Sequence, residues 1–329
     1  MATAILAEPA ATPRILVIDP APGDHLASIL HRGGERVAVA SRPGDLPEAL
    51  THHRPEVVFQ YKMPGFRGAT TAPMLATPGL RWLHYAGVGL DHLAPWDNAR
   101  LMVSNSAGVL SDFMAEYVIG AILSANIGFG DYARRQVAHH WEATGWTGVK
   151  GKTLLIVGLG RIGMTVAERA KAFGMKTIGI RAHPTPAPHL DTVLATSELA
   201  DIIGSVDFVS LHLPLTQETT WLFDAAMLER LKHGTILVNT ARGGIVDEAA
   251  LARLLARGHL RAAILDVFAQ EPLPQDSPLW SVPNLTITPH MSDSVSDWKS
   301  RSAAFFLESL DAYLTDGRPP NLAPPERGY

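Results

Sequence analysis

Three polar side chains in the last third of the chain could together move a proton on a bound acid. Arg242, Glu271 and His290 each lie shortly after an apolar run typical of a buried strand. Ligands of open parallel sheets bind at the carboxyl ends of the strands, so the three should share one edge. A histidine exchanges protons near neutral pH, an adjacent carboxylate favours the imidazolium and orients the ring, and an arginine binds carboxylates in bidentate fashion. We expect His290 to be the acid and base, Glu271 its partner, and Arg242 the substrate clamp.

A glycine-rich turn, Gly-Leu-Gly-Arg-Ile-Gly, begins at Gly158, directly after the apolar run Thr153–Val157. A helical pattern and a second apolar run, Lys176–Ile180, follow it, which places the turn in a strand–helix–strand unit. Gly158 would make the tight turn, Gly160 would let the backbone approach a pyrophosphate, and Gly163 would let the helix pack on the strand. This context predicts a dinucleotide site; a purely structural turn is the alternative.

The end of the second strand of this unit bears on the choice of cofactor. A cofactor without a 2′-phosphate is usually held there by an acidic residue that binds the ribose hydroxyls. The strand instead ends in Arg181, and Asp191 lies beyond a proline-rich loop. A guanidinium can bind a 2′-phosphate, and His183 is close enough to help. We expect NADP(H) to be favoured, with NAD(H) possible; a solvated loop arginine is the competing interpretation.

A nicotinamide beside these three side chains would suit hydride transfer to a 2-oxo acid. When a hydride reaches a carbonyl carbon, negative charge builds on the oxygen and a proton must arrive there. His290 can supply the proton, and Arg242 can stabilise the charge. Asp266, at the end of its strand, could hold the nicotinamide carboxamide or could simply be a turn residue.

Short apolar runs alternate with helical segments, as in parallel α/β sheets, and predict two Rossmann or flavodoxin-like domains, doubly wound. We expect residues 1–104 to form an outer substrate domain, completed by 294–329, and 105–293 to form the dinucleotide-binding domain. A helix over Val295–Leu314 should return to the first domain, and a long apolar helix, Phe113–Phe129, should lead into the second. The candidate strands are Arg14–Asp19, Arg36–Ala40, Val57–Tyr61, Arg81–Tyr85, Leu101–Ser104, Thr153–Val157, Lys176–Ile180, Phe208–Leu213, Thr235–Asn239, Ala262–Val267 and Leu285–Thr288, and the other candidate helices are Leu222–Leu231 and Glu248–Arg257.

Length and composition exclude several classes of protein. A chain of 329 residues is long for one core and favours two domains. The absence of cysteine excludes disulfides, thiolate zinc sites and cysteine nucleophiles. A net charge of −4 without blocks of like charge argues against nucleic acid or anionic membranes as partners.

The two ends of the chain and its most apolar stretch do not match targeting or membrane signals. Residues 1–13 lack the basic start and long apolar run of a signal peptide and resemble a disordered tail, and the proline-rich end, Gly317–Tyr329, should be extended. The apolar stretch Phe113–Ile127 carries Glu116 and is too short to span a bilayer. The cluster His139–Trp141 lacks a third ligand, so no metal site is expected. We expect a soluble, cytoplasmic protein.

A second glycine-rich turn, Gly87–Asp91, follows a candidate strand in the first domain. Its exposed amides could receive a small anion such as a carboxylate. Without further information, a tight turn before the next helix is the simpler interpretation.

Taken together, these motifs resemble those of the D-isomer-specific 2-hydroxyacid dehydrogenase family. The matching stretches cover about half of the chain, and their order agrees over its whole length. They are Gly158–Gly163, His212–Thr219, Asn239–Asp247, Leu265–Pro272 and Thr288–His290.

This resemblance implies roles for individual residues. Arg242, Glu271 and His290 match the catalytic trio of the family, and Val88 and Gly89 match the loop whose amides hold the substrate carboxylate. It also implies a homodimer built on the nucleotide-binding domain, and a small 2-oxo or 2-hydroxy acid substrate such as glyoxylate or hydroxypyruvate. The cofactor contacts implied by the fingerprint and the resemblance are Gly158, Gly160, Arg161, Ile162, Gly163, Arg181, His212, Pro214, Thr219, Thr240, Ala241 and Asp266.

Two residues depart from the family pattern. Arg181 replaces the acid common in NAD-preferring members. Asp293 stands where small residues are usual and adds a negative charge close to His290. The substrate itself is not specified by the motifs; side chains near Tyr61–Met63 or Trp82 should shape its pocket, and a bulkier 2-oxo acid stays open.

Other functions share this fold. Formate enzymes typically pair the histidine with glutamine where this chain has Glu271, and phosphite enzymes use a lysine near Tyr85–Val88, so both are disfavoured. A phosphoglycerate dehydrogenase with a regulatory domain is disfavoured because little chain follows the closing helix. A dinucleotide-sensing binding protein, like corepressors that resemble the family, is the alternative from a different class.

Overall fold

In the computed structural model, which describes residues 12–63 and 65–323, the chain folds into two compact units. The first contains the described residues up to Val109 together with those from Ser296 onward, and the second spans Leu110–Val295. Residues 1–11 of the predicted disordered tail and 324–329 of the predicted extended tail lie outside the described residues.

The first unit is built on a five-stranded, entirely parallel sheet. Its elements are β1 (Ile15–Ile18), α1 (Ala27–Gly33), β2 (Val37–Ala40), α2 (Leu46–His53), β3 (Val57–Gln60), α3 (Ala72–Leu75), β4 (Trp82–Tyr85), β5 (Met102–Asn105) and α10 (Trp298–Asp316). The spatial order β2-β1-β3-β4-β5 is that of flavodoxin-like folds. Every residue of β1 is buried, because α1 and α10 pack on one face of the sheet and α2 and α3 on the other.

Helix α10 completes the core of the first unit. The Phe306 ring stacks on Phe59, with centroids 4.4 Å apart, and lies 5.5 Å from Trp82. This confirms that the last helix returns to the first domain. The ring of Trp82 is fully buried in this core and donates to Ser104 Oγ, so it does not shape a pocket as suggested from the sequence.

A buried ion pair fastens the start of α10 to the end of β1. Lys299 Nζ lies 2.7 Å from Asp19 Oδ1, and the Asp19 side chain is fully buried. Burial by itself raises the pKa of Asp19, but hydrogen bonds from Lys299, Ala21 and His25 outweigh it and hold that pKa below its usual value. The carboxylate therefore stays charged and paired.

The second unit is built on a seven-stranded parallel sheet. Its elements are α4 (Ser111–Ile127), α5 (Phe129–Val137), β6 (Thr153–Val157), α6 (Arg161–Ala172), β7 (Lys176–Arg181), β8 (Thr192–Ala195), α7 (Leu199–Ile202), β9 (Phe208–Leu211), α8 (Ala225–Glu229), β10 (Ile236–Asn239), α9 (Glu248–Ala256), β11 (Ala262–Leu265) and β12 (Leu285–Ile287). The order β12-β11-β10-β9-β6-β7-β8 reverses direction between β9 and β6, and a ligand is expected at that switch point. The two parallel-sheet units confirm the predicted fold class.

The structure corrects the sequence prediction at several elements. The second sheet has seven strands, one more than the six candidate strands of its sequence, because the short edge strand β8, which pairs only with β7 and is only partly buried, was not predicted. The long helix predicted over Phe113–Phe129 ends at Ile127, and the φ of 88° at the next residue, Gly128, allows a 56° bend into α5. Helix α8 is shorter than predicted.

Among the described residues, no helix taken alone is long and apolar enough to cross a membrane. The bent pair α4 and α5 meets the criterion only when the two helices are joined, and then by length and composition alone.

Candidate active site

The three glycines after β6 have different surroundings. Gly158 has a φ of +102°, and a Cβ there would lie 2.4 Å from the carbonyl oxygen of His212. A Cβ on Gly163 would lie 2.0 Å from the Gly158 oxygen, so α6 can approach the turn only because Gly163 has no side chain. A Cβ on Gly160 would meet no protein atom within 4 Å, which leaves open space on the outer side of the turn.

Helix α6 begins at Arg161 directly after this turn. Gly160, in an extended conformation, precedes it and offers no side chain to cap the helix. The first amides of a helix have no partner within the helix, and the helix dipole favours an anion there. Arg161 and Ile162, the predicted phosphate contacts, therefore occupy the first turn of a helix suited to a pyrophosphate.

The loop after β9 is tied back to the glycine turn. The His212 amide donates to Val157 O over 2.7 Å, and burial lowers the pKa of the His212 ring to about 3, so the ring is neutral. Further along, Thr219 Oγ1 donates to Pro214 O over 2.6 Å and accepts from the Thr216 amide over 2.8 Å. Thr219 thus shapes the loop that carries Pro214.

The last residue of β7 is the cation Arg181, whereas the nearest downstream carboxylate, Asp191, lies at the start of the strand. Arg181 ends the strand, and its Nη1 donates to Thr185 Oγ1 over 3.2 Å. Asp191 accepts from Lys171 Nζ over 2.7 Å and from the Thr177 amide over 2.8 Å. The Lys171 hydrogen bond, above all, holds the pKa of Asp191 below its usual value. Because Thr177 stands at the opposite end of the strand from Arg181, roughly 13 Å away along an extended backbone, the Asp191 carboxylate does not neutralise Arg181.

The structure brings His290 and Glu271 into contact. His290 Nδ1 lies 2.7 Å from Glu271 Oε2, and the other carboxylate oxygen accepts from the Phe268 amide over 3.0 Å. The two side chains are 30% and 31% exposed, so the pair remains accessible to a ligand. Since Nδ1 is engaged by the carboxylate, Nε2 is the ring atom that can exchange a proton with a bound molecule.

The backbone around His290 is held by Asp266. This fully buried carboxylate accepts from Thr288 Oγ1 over 2.6 Å and from the amides of Met291 and Ser292, each over 2.9 Å. The His290 amide donates to the Asp266 carbonyl over 2.8 Å, and His290 itself has a φ of +51°. Asp266 therefore fixes the strained loop that presents the histidine, a role that its place at a strand end did not reveal.

Arg242 lies on the loop after β10, and the residue that follows it, Gly243, packs against the turn that carries Glu271. Asn239 Nδ2 donates to Arg242 O over 3.0 Å, and Arg242 Nη1 donates to Ala241 O over 2.7 Å. A Cβ on Gly243 would lie 1.9 Å from the carbonyl carbon of Phe268, so the two backbones touch. The predicted trio thus sits at one edge of the sheet, on three adjacent strand ends.

Glu248 lies beside Glu271 against the same turn, and the sequence analysis did not single it out. Its Oε1 accepts from the Ala269 amide over 2.7 Å, next to the Phe268 amide bound by Glu271. Burial raises the pKa of Glu248, and the nearby Glu271 charge adds to this. In the sequence Glu248 follows Asp247, which caps α9. An acid in the first turn of a helix is so common that its position gave no signal.

The residues around the glycine turn fit a dinucleotide. Thr240, at the end of β10, is 6% exposed, and its hydroxyl has no hydrogen-bond partner among the described residues. A buried hydroxyl without a partner is unfavourable unless a ligand or water completes it. Together with the open space at Gly160, it indicates room and a polar group for a bound cofactor.

In the turn after β4 of the first unit, two carbonyl groups have hydrogen-bond donors, whereas the neighbouring amides have no protein acceptor among the described residues. The carbonyls of Gly87 and Val88 accept hydrogen bonds from the Ser106 amide, over 2.9 Å, and from Asn105 Nδ2, over 2.8 Å. Within residues 12–63 and 65–323, the amides of Gly87, Val88 and Gly89 donate to no protein acceptor. Adjacent free amides of this kind form an anion-binding concavity.

No group of three or more potential metal ligands occurs in the part of the chain that the structure describes. The His139–Trp141 segment is exposed, with the Trp141 side chain entirely in solvent.

Comparison with known proteins assigns the fold to a family. Residues 119–292, more than half of the chain, match the model of the "D-isomer specific 2-hydroxyacid dehydrogenase, NAD binding domain". The chain belongs to this family. The matched residues all lie in the second unit, which is therefore the NAD binding domain of this family.

The chain is similar to several named relatives and to a solved structure over most of its length. It is 33% identical over 309 residues to a glyoxylate/hydroxypyruvate reductase B of Citrobacter koseri, covering 91% of this chain and 94% of the relative. It is 39% identical over 253 residues to a D-3-phosphoglycerate dehydrogenase of Mycobacterium bovis, covering 74% of this chain and 47% of the relative, so the chain spans about half the length of that protein. A family member from Xanthobacter autotrophicus Py2, solved with NADPH and MES, superposes with a TM-score of 0.79 at 27% identity and covers 96% of this chain and 100% of its own.

The contrast between Gly160 and Gly163 yields a paired prediction. Gly160→Ala should unfold in urea at the wild-type midpoint but bind NADPH at least about tenfold more weakly, because the new methyl group occupies the path of the pyrophosphate. Gly163→Ala should instead lose about 1–3 kcal/mol of unfolding free energy, since its methyl group overlaps the Gly158 carbonyl. Urea unfolding and NADPH fluorescence titration measure both quantities; unchanged NADPH affinity of Gly160→Ala would contradict the assignment of the turn.

Proposed function

We propose that the dehydrogenase reduces small 2-oxo acids, such as glyoxylate or hydroxypyruvate, to D-2-hydroxy acids and prefers NADPH. The observation that carries this proposal is the 2.7 Å contact between His290 Nδ1 and Glu271 Oε2, at the sheet edge that also carries Arg242. The reductase named in Citrobacter koseri covers nearly the whole chain and supports the same substrate class.

The proposed reaction uses one proton and one hydride. The reduced nicotinamide, when bound, supplies the hydride. His290 donates the Nε2 proton to the carbonyl oxygen of the substrate as hydride reaches the carbonyl carbon, which yields the hydroxyl group of the product. Glu271 stabilises the imidazolium before transfer and keeps the ring oriented through Nδ1, and solvent then returns a proton to Nε2. In the reverse direction the neutral ring accepts that proton.

Two groups are proposed to bind the charges of the substrate. Arg242 stabilises the negative charge that builds on the carbonyl oxygen and pairs with the carboxylate. The amides of Val88 and Gly89, which have no protein acceptor among the described residues, are proposed to bind the carboxylate.

The proposed preference for NADPH rests on the charge at the end of β7. We assign Arg181 to the 2′-phosphate. Its Nη1 lies 3.2 Å from the hydroxyl oxygen of Thr185. Asp191 binds Lys171 and Thr177 instead, so its carboxylate does not repel a phosphate at that position. The NADPH complex of the Xanthobacter relative is consistent with this choice.

The assignment of His290 is tested by turnover. The wild type should oxidise NADPH in the presence of glyoxylate or hydroxypyruvate, and His290→Ala should lose about 10²–10⁴-fold in kcat with unchanged affinity for NADPH. His52→Ala, which removes an imidazole that is 76% exposed, is the control and should match the wild type. Tight NADPH binding by the wild type without turnover of any 2-oxo acid would favour a sensor protein instead.

The role of Arg181 is tested by comparing the two cofactors. Arg181→Asp should weaken NADPH binding much more than NADH binding, by at least about tenfold in their ratio, because a carboxylate repels the 2′-phosphate. Arg42→Asp, at a side chain that is 82% exposed in the first unit, should leave that ratio unchanged. Equal weakening for both cofactors would overturn the phosphate assignment.

We also propose that the dehydrogenase forms a homodimer through its second unit. Helix α5 and the segment after it expose several large apolar side chains, and clusters of this kind mark interfaces. Val137 is 84% exposed and Trp141 fully exposed. Sedimentation equilibrium should give twice the 35.4 kDa of one chain, and the double variant Val137→Glu, Trp141→Glu should give the monomer mass; a monomeric wild type would refute the dimer.

A further inference from the structure

Three successive carbonyl groups in the turn after β4 accept hydrogen bonds from donors outside the turn. Ala86 O accepts from Ser302 Oγ over 3.2 Å, Gly87 O accepts from the Ser106 amide over 2.9 Å, and Val88 O accepts from Asn105 Nδ2 over 2.8 Å. The oxygens of three successive peptide groups are therefore held in place. Their donors come from α10, from the loop after β5 and from β5 itself.

In a trans peptide the N–H and C=O bonds point in opposite directions. A donor that holds the oxygen of one residue therefore turns the amide of the next residue the other way. The Ser106 amide directs the Val88 N–H, and the Asn105 side chain directs the Gly89 N–H. These two amides are the ones assigned above to the substrate carboxylate, and the Asn105 side chain is the part of this arrangement that a substitution can change.

Asn105 is held so that its donor, rather than its acceptor, faces Val88. The residue ends β5 and is 3% exposed. Its Oδ1 accepts from the Ala107 amide over 3.1 Å, which leaves Nδ2 as the atom 2.8 Å from Val88 O. Asn321 fixes the backbone at this point, since its Nδ2 donates to the Asn105 carbonyl over 3.2 Å. A rotated amide would place an oxygen against Val88 O and lose both side-chain hydrogen bonds.

We propose that Asn105 is a positioning residue that aims the Gly89 amide at the substrate carboxylate and so sets the affinity for 2-oxo acids. This inference rests on the proposed function. Asn105 does not touch the substrate; it acts through the peptide between Val88 and Gly89. The position of Gly87 adds a second constraint on the same turn, because a Cβ there would lie 2.6 Å from the Tyr85 ring.

Asn105→Asp tests this role, since it changes one donor into an acceptor at nearly constant shape. Two oxygens would then face each other across 2.8 Å, and the Val88–Gly89 peptide should turn away. The KM for glyoxylate should rise at least about tenfold, as expected for the loss of one hydrogen bond to a charged group, while kcat and the Kd for NADPH stay within about threefold of the wild type.

A protonated carboxyl can donate a hydrogen bond, which gives this variant a signature that a merely structural defect would lack. Between pH 8 and pH 5.5 the KM of Asn105→Asp should fall towards the wild-type value, as the introduced carboxyl gains the proton that restores a donor to Val88 O. Asn98→Asp is the matched control: Asn98 is exposed in the same unit, and its Oδ1 accepts from Trp96 Nε1, which an aspartate can replace. That control should show the wild-type KM at every pH.

Asn105→Ala covers the case in which Asn105→Asp unfolds. It removes the donor without adding an acceptor, and its KM should rise by a smaller factor that does not depend on pH. If both variants fold, a wild-type KM in both would overturn the role of Asn105. If only Asn105→Ala folds, a wild-type KM in that variant would do the same. Neither result would contradict the proposed reductase. A wild type that turns over no 2-oxo acid would overturn both.

Discussion

The active-site edge of the second unit depends on one buried carboxylate. Asp266 ends β11 without solvent exposure and receives its hydrogen bonds from the loop after the neighbouring strand, β12. A buried carboxylate is stable only when donors surround it, so the loop must adopt the path that supplies them. That path gives His290 a positive φ and brings Nδ1 to Glu271. The hydrogen bonds that satisfy the Asp266 carboxylate therefore also fix the position of His290.

Residue type and local order were sufficient to predict much of this arrangement. The trio at Arg242, Glu271 and His290 could be predicted because strand ends in a parallel sheet converge, whatever the details of their loops. The tasks of Gly158 and Gly163 follow from the strand and helix that flank them. The positions of these residues could be predicted because they depend only on the residue type and on the strand or helix next to it in the sequence.

Other features depend on contacts between distant segments and left no local pattern. Asn105 and Val88 are 17 positions apart and meet only because β4 and β5 pair in one register. Glu248 looks like any acid at a helix start until the turn at Ala269 is seen against it. Strand β8 is a partly exposed edge strand whose three apolar residues directly follow a proline-rich loop, so the sequence did not distinguish it from that loop.

The return of α10 to the first unit has a consequence for how the chain folds during synthesis. Phe59 and Trp82 are synthesised before the whole second unit, whereas the ring that packs on them, Phe306, is synthesised after it. The second unit is complete at Val295, so it can fold while the first unit still lacks part of its core. During that interval the second unit can be folded while the sheet of the first unit has one face covered only in part, by α1. The first unit is therefore the part of the nascent chain most exposed to aggregation and to chaperones.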